Sequence, residues 1–545
     1  MAVKSSAISN AVLYASAKQG RTGTVTAARC DSWQPRWHSI HTKSDGGAPL
    51  RRFVRRDNLS VARDANHRFS YYVFQNEKIS MSIAPAPAAP ASRWWPDYRT
   101  VWRWHFYAGL LTLPFVTVLS ISGAIYLFKP QIEAWNDRAY DSLTIHQRTT
   151  VAEQVQAALA SVPESTPNGY ELPETVQSAA RVIVRRNGAA IRVYVHPETL
   201  AILHSIPENQ RFMKVLFRLH GELLMGDRGS NIVELAASWT IIMIVSGLYL
   251  WWPRNTRGLA GVLYPRLRKG SRIFWRDLHS VCGVWISTLA LFLLLTGLPW
   301  AKFWGNYFKT IRSVTGTAVA QQDWTTGSER SSAGRRSEGA SGEHGGGGGG
   351  RRSGGGVMPK DMAAFDRVAA AVQPLGLQPP VIIAPPSQGS ENWTAKSNTP
   401  NRPYRVNLVV NGTTGAIVSR EGFQDRHWVD RMVGTGIAAH EGQLFGWPNQ
   451  LLGLLTALGL VLLSVSGVVM WWRRRDRGVL GAPPFEVGRR FSCGLLVAAL
   501  LLAVYLPLFG ASLVFVLTTE KLVLSHIPRL RDWLGLRPRP TTTAV

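Results

Sequence analysis

The sequence predicts an α-helical integral membrane protein: duplicated two-span units plus a fifth span, with two small external α+β modules. Histidines and glycines recur in the same register in both halves of the chain, which indicates an internal duplication. Five nearly charge-free apolar stretches are also long enough to cross a bilayer core of about 30 Å, which takes roughly 20 helical residues. They lie at about 104–128, 231–252, 279–303, 448–472 and 492–518.

The charge of the chain is explained by membrane topology. The 545 residues carry a formal net charge of +27, a balance also seen in nucleic-acid-binding proteins. Here the arginines cluster beside the apolar runs, as they do in cytoplasmic loops of membrane proteins. We therefore expect the lipid bilayer as a partner and no nucleic acid. The three cysteines form no C-x-x-C or C-x-x-C-H motif, which excludes a thiolate zinc site and covalently attached c-type haem.

The short loops give the orientation. RNTRGLAGVLYPRLRKGSRIFWRD follows the second span and RRRDRGVLGAPPFEVGRR follows the fourth, and both are rich in arginine. Positively charged loops stay in the cytoplasm. We therefore expect a cytoplasmic N-terminus, with the segments 129–230 and 304–447 and the C-terminal tail outside.

The duplication rests on two repeated intervals. Intervals of 18 and of 27 residues each occur twice, the first from His105 to Gly123 and from His279 to Gly297, the second from His220 to Gly247 and from His440 to Gly467. The second span ends in VSGLYLWW and the fourth in VSGVVMWW. Because each unit has an even number of spans, both units run the same way through the membrane, and the fifth span stands outside the repeat.

The two external segments each read as a small α+β module. The first contains a helix that begins with a capping box of Thr150 and Glu153, followed by the strand–turn–strand pattern AIRVYVHPETLAIL. The second has the helical DMAAFDRVAAAV and the strand–turn–strand YRVNLVVNGTTGAIV. Leu200 of the first turn stands where the second has Gly415.

Two segments are predicted to be disordered. Residues 1–95 form an N-terminal extension, with Met81 as an alternative start of translation. Residues 326–356 are a flexible glycine-rich insert, so His344 within them is predicted to be a linker residue rather than a ligand.

The histidines sort into two levels of the membrane. His105 and His279 open the first and third spans, near the cytoplasmic face, whereas His220 and His440 precede the second and fourth spans, near the external face. Each level therefore receives one histidine from each repeat. A pair of opposed imidazoles in a helical bundle is what six-coordinate haem iron needs.

Neighbouring residues fit the same hypothesis. Gly109 and Gly283 lie four residues after the first histidine of each unit, on the same helix face, where they leave room for a flat macrocycle. Arg103 and Arg276 flank the inner level and are candidates to meet haem propionates. No catalytic side chain is predicted.

Three roles besides haem ligation are open to histidines at these positions. A single histidine at a membrane interface is usually only a tolerated polar residue. A zinc site lacks carboxylate or thiolate partners at matching positions, and a proton relay lacks Asp and Glu within the spans.

The order of spans and motifs resembles the PepSY-associated transmembrane family, which includes iron-regulated inner-membrane proteins and ferric-siderophore reductases. The resemblance covers about residues 98–518 and rests on WRWHFYAG, LHGELLMG, RDLHSVCG and VSGLYLWW, with AHEGQLFG as the second copy of the histidine–glycine motif. It implies two b-type haems held by membrane histidines, and PepSY-like modules in the periplasm of a bacterial inner membrane.

The expected function follows from this resemblance. It is a di-haem b electron-transfer protein that reduces periplasmic ferric iron, held in a siderophore or another ferric chelate, for iron uptake. Because no G-x-G-x-x-G fingerprint follows a strand, the electron donor is expected to be separate, a quinol or a flavoprotein. The alternative is a membrane-anchored PepSY module that binds proteins or regulates proteases or signalling without redox activity. A transporter is a third.

The expected boundaries follow the chain. They are 1–95 for the extension, 96–130 for the first span, 131–218 for the first module, 219–252 for the first histidine–glycine motif and second span, 253–275 for a basic loop, 276–303 for the third span, 304–356 for the linker, 357–438 for the second module, 439–472 for the second motif and fourth span, 473–490 for a basic loop, 491–518 for the fifth span and 519–545 for the tail.

Overall fold

The computed structural model describes residues 97–253, 258–317, 358–386, 390–483 and 492–536, together with the backbone of four short strands near the N-terminus. The chain divides into two compact units, Met1–Ala91 and Ser92–Val545. The predicted insert at 326–356, with His344, lies outside the described residues.

The first unit contains a small antiparallel sheet. Its strands pair in chain order and are β1 (His38–Thr42), β2 (Leu50–Val54), β3 (Ser60–Arg63) and β4 (Phe69–Ser70). These strands, which pair through backbone hydrogen bonds, lie within residues 1–95, whose disorder stays a prediction. The other residues of this prediction up to 96 lie outside the described part of the chain.

Four long helices of the second unit form a bundle. They are α1 (Tyr98–Tyr126), α5 (Asp227–Trp251), α6 (Ser271–Gly297) and α10 (Trp447–Arg474). Each neighbours the next in the cyclic order α1, α5, α6, α10, so α1 and α6 lie across the bundle from each other. The Asp97 side chain accepts a hydrogen bond from the Thr100 backbone N–H and thereby caps the start of α1.

Five helices are long and apolar enough to cross a membrane, as the sequence predicted. They are Tyr98–Tyr126, Asp227–Trp251, Ser271–Trp300, Trp447–Arg474 and Pro507–Leu524. The protein is therefore a multi-pass membrane protein. The first four begin one to eight residues before the predicted apolar runs, because helical turns carrying polar residues precede them.

The fifth span differs from its prediction. The chain forms α11 (Cys493–Tyr505) and then α12 (Pro507–Thr519), with a break at Leu506, where ψ is 79°. A residue before proline is disfavoured in the helical region, so Pro507 ends the preceding helix. A Cβ added to Gly510 would lie 2.8 Å from the Cβ of Ala503, which shows how sharply the two helices are bent together. The segment predicted as the fifth span, 491–518, thus contains two helices, and the helix long and apolar enough to cross a membrane is Pro507–Leu524.

The C-terminal tail also lies elsewhere than predicted. It contains α13 (Pro528–Leu534), and the Trp533 carbonyl accepts a hydrogen bond of 2.9 Å from the backbone N–H of Leu480. The Leu534 carbonyl accepts one of 2.5 Å from the Tyr107 hydroxyl. Tyr107 is two residues from His105, and Leu480 belongs to the arginine-rich loop after the fourth span. The tail thus lies on the side of the arginine-rich loops, and its predicted position on the opposite side is wrong.

The two segments between the spans build a single sheet. Eight antiparallel strands run in the order β12, β11, β10, β9, β5, β6, β7, β8. The first segment supplies β5 (Thr166–Glu171), β6 (Ala180–Arg186), β7 (Ala189–Val195) and β8 (Ile202–Pro207), and the second supplies β9 (Val381–Ala384), β10 (Asn392–Ser397), β11 (Val406–Asn411) and β12 (Ile417–Gly422). The halves meet where β5 pairs with β9, Tyr170 opposite Ile383.

One hydrophobic core lies under both halves of this sheet. The helices α3 (Val151–Ser161) and α8 (Ala364–Val372) both contribute buried residues to it, among them Val155 and Phe365. The predicted capping box of Thr150 and Glu153 is present at the start of α3. Leu200 and Gly415 both have positive φ, 62° and 73°, so the two turns share one backbone conformation although only glycine adopts it without strain. The expected separate modules are thus joined edge to edge.

The remaining short helices connect the sheet to the bundle. They are α2 (Lys129–Asp137), α4 (Phe212–Glu222), α7 (Lys302–Val314) and α9 (Trp428–His440). Both α4 and α9 come directly before a long helix and carry a histidine near their C-terminal end. These two helices therefore position the second set of predicted site residues.

Candidate functional site: two opposed histidine pairs

The first histidine pair lies inside the bundle. His105 of α1 and His279 of α6 project from helices on opposite sides, and their ring centres are 6.4 Å apart with the ring planes at 87°. We call them the inner pair. The structure thus brings together the two residues that the repeat predicted to face each other.

The second pair lies between the short helices that precede the second and fourth long helices. His220 of α4 and His440 of α9 have ring centres 6.5 Å apart and ring planes at 81°. We call them the outer pair. Trp300 packs edge-on against His440, with 5.8 Å between ring centres.

Every one of the four imidazoles is held through its Nδ1 atom by a hydroxyl. The pairs and their Nδ1–oxygen distances are His105 with Ser246 (3.1 Å), His279 with Ser466 (2.9 Å), His220 with Ser122 (3.1 Å) and His440 with Thr296 (3.0 Å). A backbone carbonyl three residues before each hydroxyl also hydrogen-bonds the ring, from Met243, Leu463, Leu119 and Leu293 respectively.

These bonds select one tautomer. Each hydroxyl donates its own hydrogen to a backbone carbonyl of its helix, so it accepts from Nδ1, which therefore carries the proton. The lone pair then resides on Nε2. A metal-binding histidine commonly donates from its other ring nitrogen to a carbonyl or another acceptor, which orients the ring and raises its basicity as a ligand. All four histidines therefore have the tautomer that a metal ligand requires.

Burial keeps the outer pair neutral. Loss of hydration lowers the pKa of His440 to about 4, and loss of hydration together with the charge of His440 lowers the pKa of His220 to about 4. A neutral imidazole is the form that binds metals.

Four glycines lie against the four imidazoles. A Cβ added to Gly123 would be 3.0 Å from the ring of His220, one at Gly247 would be 3.1 Å from His105, one at Gly297 would be 3.3 Å from His440, and one at Gly467 would be 3.7 Å from His279. Each of these glycines directly follows the serine or threonine that bonds the same histidine. The unit Ser/Thr–Gly therefore orients the ring with its hydroxyl and makes room for it with the missing side chain.

The sequence interpretation used these glycines only as register marks and missed this role. The signal was present, because SG, SG, TG and SG occur at the four repeated positions. The glycines predicted to leave room for a macrocycle were Gly109 and Gly283. Added Cβ atoms there would be 3.7 Å from Met243 and Leu463 side chains respectively, in ordinary contact.

The predicted arginines are engaged by protein groups. Arg103 donates to the Pro483 carbonyl and, at 3.3 Å, to the Tyr107 hydroxyl. Arg276 donates to Asp277, whose fully buried carboxylate also binds Arg266. The proposed contact of Arg103 and Arg276 with propionates thus remains a prediction without support from these bonds.

The arrangement suits one metal ion between each pair. A metal ion bound by two imidazoles on opposite sides, with bonds of about 2 Å, holds the two nitrogens about 4 Å apart. Because each ring centre lies about 1 Å behind its nitrogen, the two ring centres are then about 6 Å apart. The separations of 6.4 Å and 6.5 Å match this value. Among the described residues no group of three or more His, Cys, Asp or Glu could hold a metal ion. Two opposed histidines, with no further protein ligand, are the ligand set that a haem iron would require of the protein.

Comparison with known families agrees with the resemblance. The sequence model of the family described as the PepSY-associated TM region matches residues 102–474, more than half of the chain. This match includes both histidine pairs and both Ser/Thr–Gly units of each pair. A search of curated proteins finds no match. The chain belongs to the PepSY-associated transmembrane family.

Proposed function

We propose that the protein is a di-haem b electron-transfer protein of a bacterial inner membrane, which reduces ferric iron held in a siderophore or another chelate for iron uptake. The observation that carries the proposal is the presence of two opposed histidine pairs with the same spacing and the same Nδ1 bonds. In this proposal His105 and His279 hold one haem and His220 and His440 hold the other.

The residues of the protein have defined tasks in this function. Each imidazole offers Nε2 to the iron, while the hydroxyl and carbonyl at Nδ1 hold the ring and its tautomer. Haem iron held by two histidines supplies a one-electron redox centre when it is bound. The bundle excludes water from the inner pair, and the low dielectric there favours tuning of the potential by nearby dipoles.

The distance between the inner pair and the outer pair is close to the thickness of a membrane. His105 and Gly123, which contacts His220, are 18 residues apart on α1, or about 27 Å at 1.5 Å per residue. This is close to the thickness of a bilayer core, about 30 Å. The arginine-rich loops support a cytoplasmic position for the inner pair and a periplasmic position for the sheet, by the positive-inside rule.

The overall reaction balances with one electron per iron. A separate donor, a quinol or a flavoprotein, releases electrons, and each ferric ion in the external chelate takes up one to become ferrous. The weaker binding of ferrous iron by hard oxygen chelators then frees the metal.

Reduced-minus-oxidised absorbance spectra with pyridine hemochromogen quantification test the proposal. Purified protein should contain two b-type haems per chain, and His105→Ala and His440→Ala should each lose about one of them. His196→Ala is the matched control, because His196 lies in the turn between β7 and β8, where its Nδ1 accepts from the backbone of Glu198 and Thr199. It should retain both. Folded protein that contains no haem despite ample supply would refute the proposal.

One observation favours the second candidate, a membrane-anchored protein-binding module. Strand β12 is a sheet edge with exposed apolar side chains, including Ile417 and Val418. An open edge strand can pair with an extended peptide. Peptide capture by haem-free protein would support this alternative.

A further inference from the structure

Two buried polar atoms in the loop before β11 have no hydrogen-bond partner. They are Oδ1 of Asn401 and Nε of Arg402. Only three other buried side-chain nitrogens or oxygens of the described residues share this condition, on Arg148, Ser165 and Arg181. Buried polar groups are nearly always satisfied, so an unsatisfied donor and acceptor on adjacent residues indicate a missing partner.

The loop lies beside the outer pair. The guanidinium carbon of Arg402 is 5.9 Å from the ring centre of Trp300, and that ring centre is 5.8 Å from the one of His440. The Asn401 side chain donates a bond of 3.3 Å to the carbonyl of Leu444, four residues after His440. The side chains of both residues therefore lie close to His440 of the outer pair, Asn401 through Leu444 and Arg402 through Trp300.

The nearest carboxylate does not satisfy Arg402. Oε2 of Glu441 is 4.0 Å from Nε, beyond the 2.7–3.2 Å range of such bonds. The Arg402 side chain is 9% exposed, so solvent does not replace the partner.

We propose that Asn401 and Arg402 bind a carboxyl group of the molecule held by the outer pair, which for haem b is a propionate. The inference rests on the proposed function. The Nε–H of Arg402 donates to the carbonyl oxygen of the carboxyl group, a hydrogen bond assisted by the charge of the guanidinium. When the carboxyl group carries a proton, it donates that proton to Oδ1 of Asn401. One carboxyl group thus satisfies both orphaned atoms.

This assignment concerns the outer pair, for which the sequence suggested no arginine. Arg103 and Arg276 are close in sequence to inner histidines but donate to Pro483 and Asp277. Arg402 is 38 residues before His440, and the sheet brings it to the outer pair.

Haem b and its dimethyl ester, which lacks free carboxylates, are the probes. Both are titrated into apo-protein of the His279→Ala background, where only the outer pair remains. We expect the ester to bind about 10- to 100-fold more weakly than haem b. Arg402→Ala should weaken binding of haem b by a similar factor and leave ester binding unchanged. Asn401→Ala should produce a smaller loss for haem b.

Arg148→Ala is the matched control, because Arg148 also has an unsatisfied buried nitrogen but donates to Val176 and Ser178 in the first half of the sheet. It should bind both probes as the background protein does.

Two outcomes would overturn the inference and leave haem binding intact. One is equal affinity of the background protein for haem b and its ester, a comparison that needs no Arg402 variant. The other is an equal loss of both probes in Arg402→Ala, which would show a structural role. Failure of both the background and the wild-type protein to bind haem b would overturn the proposed function itself.

Discussion

The inner and outer pairs have the same local geometry in different settings. Ring separations of 6.4 Å and 6.5 Å, near-perpendicular planes and a Ser/Thr–Gly unit behind each ring are common to both. The inner histidines belong to long helices of the bundle. The outer histidines belong to short helices, α4 with 11 residues and α9 with 13, which connect the sheet to the bundle.

Two helices, α1 and α6, each contribute residues to both histidine pairs. α1 carries the inner ligand His105 and, at its other end, Ser122 and Gly123 behind the outer ligand His220. α6 does the same with His279 and with Thr296 and Gly297. The bundle alone can therefore build the inner pair, whereas the outer pair also needs the sheet and its connections. Substitutions that affect one pair and not the other test this difference.

The largest selective effect should come from the buried ion pair that holds α9. Arg312 of α7 donates two bonds, 2.7 Å and 2.9 Å, to the carboxylate of Asp430 near the start of α9, and both side chains are buried. Arg312→Met removes this guanidinium from the buried carboxylate, at a cost of about 3–5 kcal/mol. We expect haem spectra to show loss of the outer site and retention of the inner one.

The double variant Arg312→Met with Asp430→Leu is its control. Replacing both members of a buried pair by apolar residues is often nearly neutral, so this variant should recover most of the outer site. If the single variant lowers both sites equally, α9 is not an independent support of the outer pair.

A second, smaller effect should follow when the glycines beside the imidazole rings are replaced by alanine. Gly123→Ala places a methyl group 3.0 Å from the His220 ring, whereas Gly467→Ala places one 3.7 Å from His279, an ordinary contact distance. Overpacking costs about 1–3 kcal/mol. Gly123→Ala should therefore weaken haem retention at the outer site about 10- to 100-fold, and Gly467→Ala should have little effect on the inner one.

Haem dissociation to a scavenging apo-globin measures both variants. Gly221→Ala is the control, since Gly221 adjoins His220 but an added Cβ has nothing within 4 Å. Equal dissociation from Gly123→Ala and Gly467→Ala would contradict the order set by the two distances.

Removal of the hydroxyls should have a third, more uniform effect. Ser466→Ala and Ser122→Ala each remove one of the two oxygens at Nδ1, and loss of such a supporting group costs 10- to 100-fold in metal affinity. Because a backbone carbonyl remains at each ring, we expect the lower limit, about 10-fold. Ser464→Ala, whose hydroxyl bonds only the Leu460 carbonyl of its own helix, is the control. A larger loss at one level than at the other would show that the two pairs are not equivalently held.

Local patterns predicted much of the bundle and of the histidine pairing. Apolar length alone located five candidate spans, because a bilayer requires every spanning helix to be long and apolar. The repeated intervals placed His105 opposite His279 and His220 opposite His440, and the ring distances agree with that pairing.

Features that depend on contacts between residues far apart in the chain could not be predicted from local sequence patterns. Pairing of β5 with β9 joins residues more than 200 positions apart, and no local pattern specifies it. Arg402 lies beside the outer pair through its contact with Trp300, 102 residues earlier in the chain. The turn at Leu506 did have a local signal in Pro507, but the apolar run around it was long enough to suggest one straight helix.

The smallest effect should appear at the inner end of the bundle, where the tail rather than the sheet packs. The Tyr107 hydroxyl donates to the Leu534 carbonyl and accepts from Arg103, and Tyr107→Phe removes both bonds, of which the one to the tail is worth about 1 kcal/mol. Amide hydrogen exchange over residues 528–534 should then increase about fivefold, while both haems are retained, because the bond lies outside the Nδ1 contacts of His105. Tyr264→Phe, in the arginine-rich loop after the second span and 56% exposed, is the control. Loss of the inner haem in Tyr107→Phe would show that the inner pair, like the outer one, depends on a segment outside the four long helices.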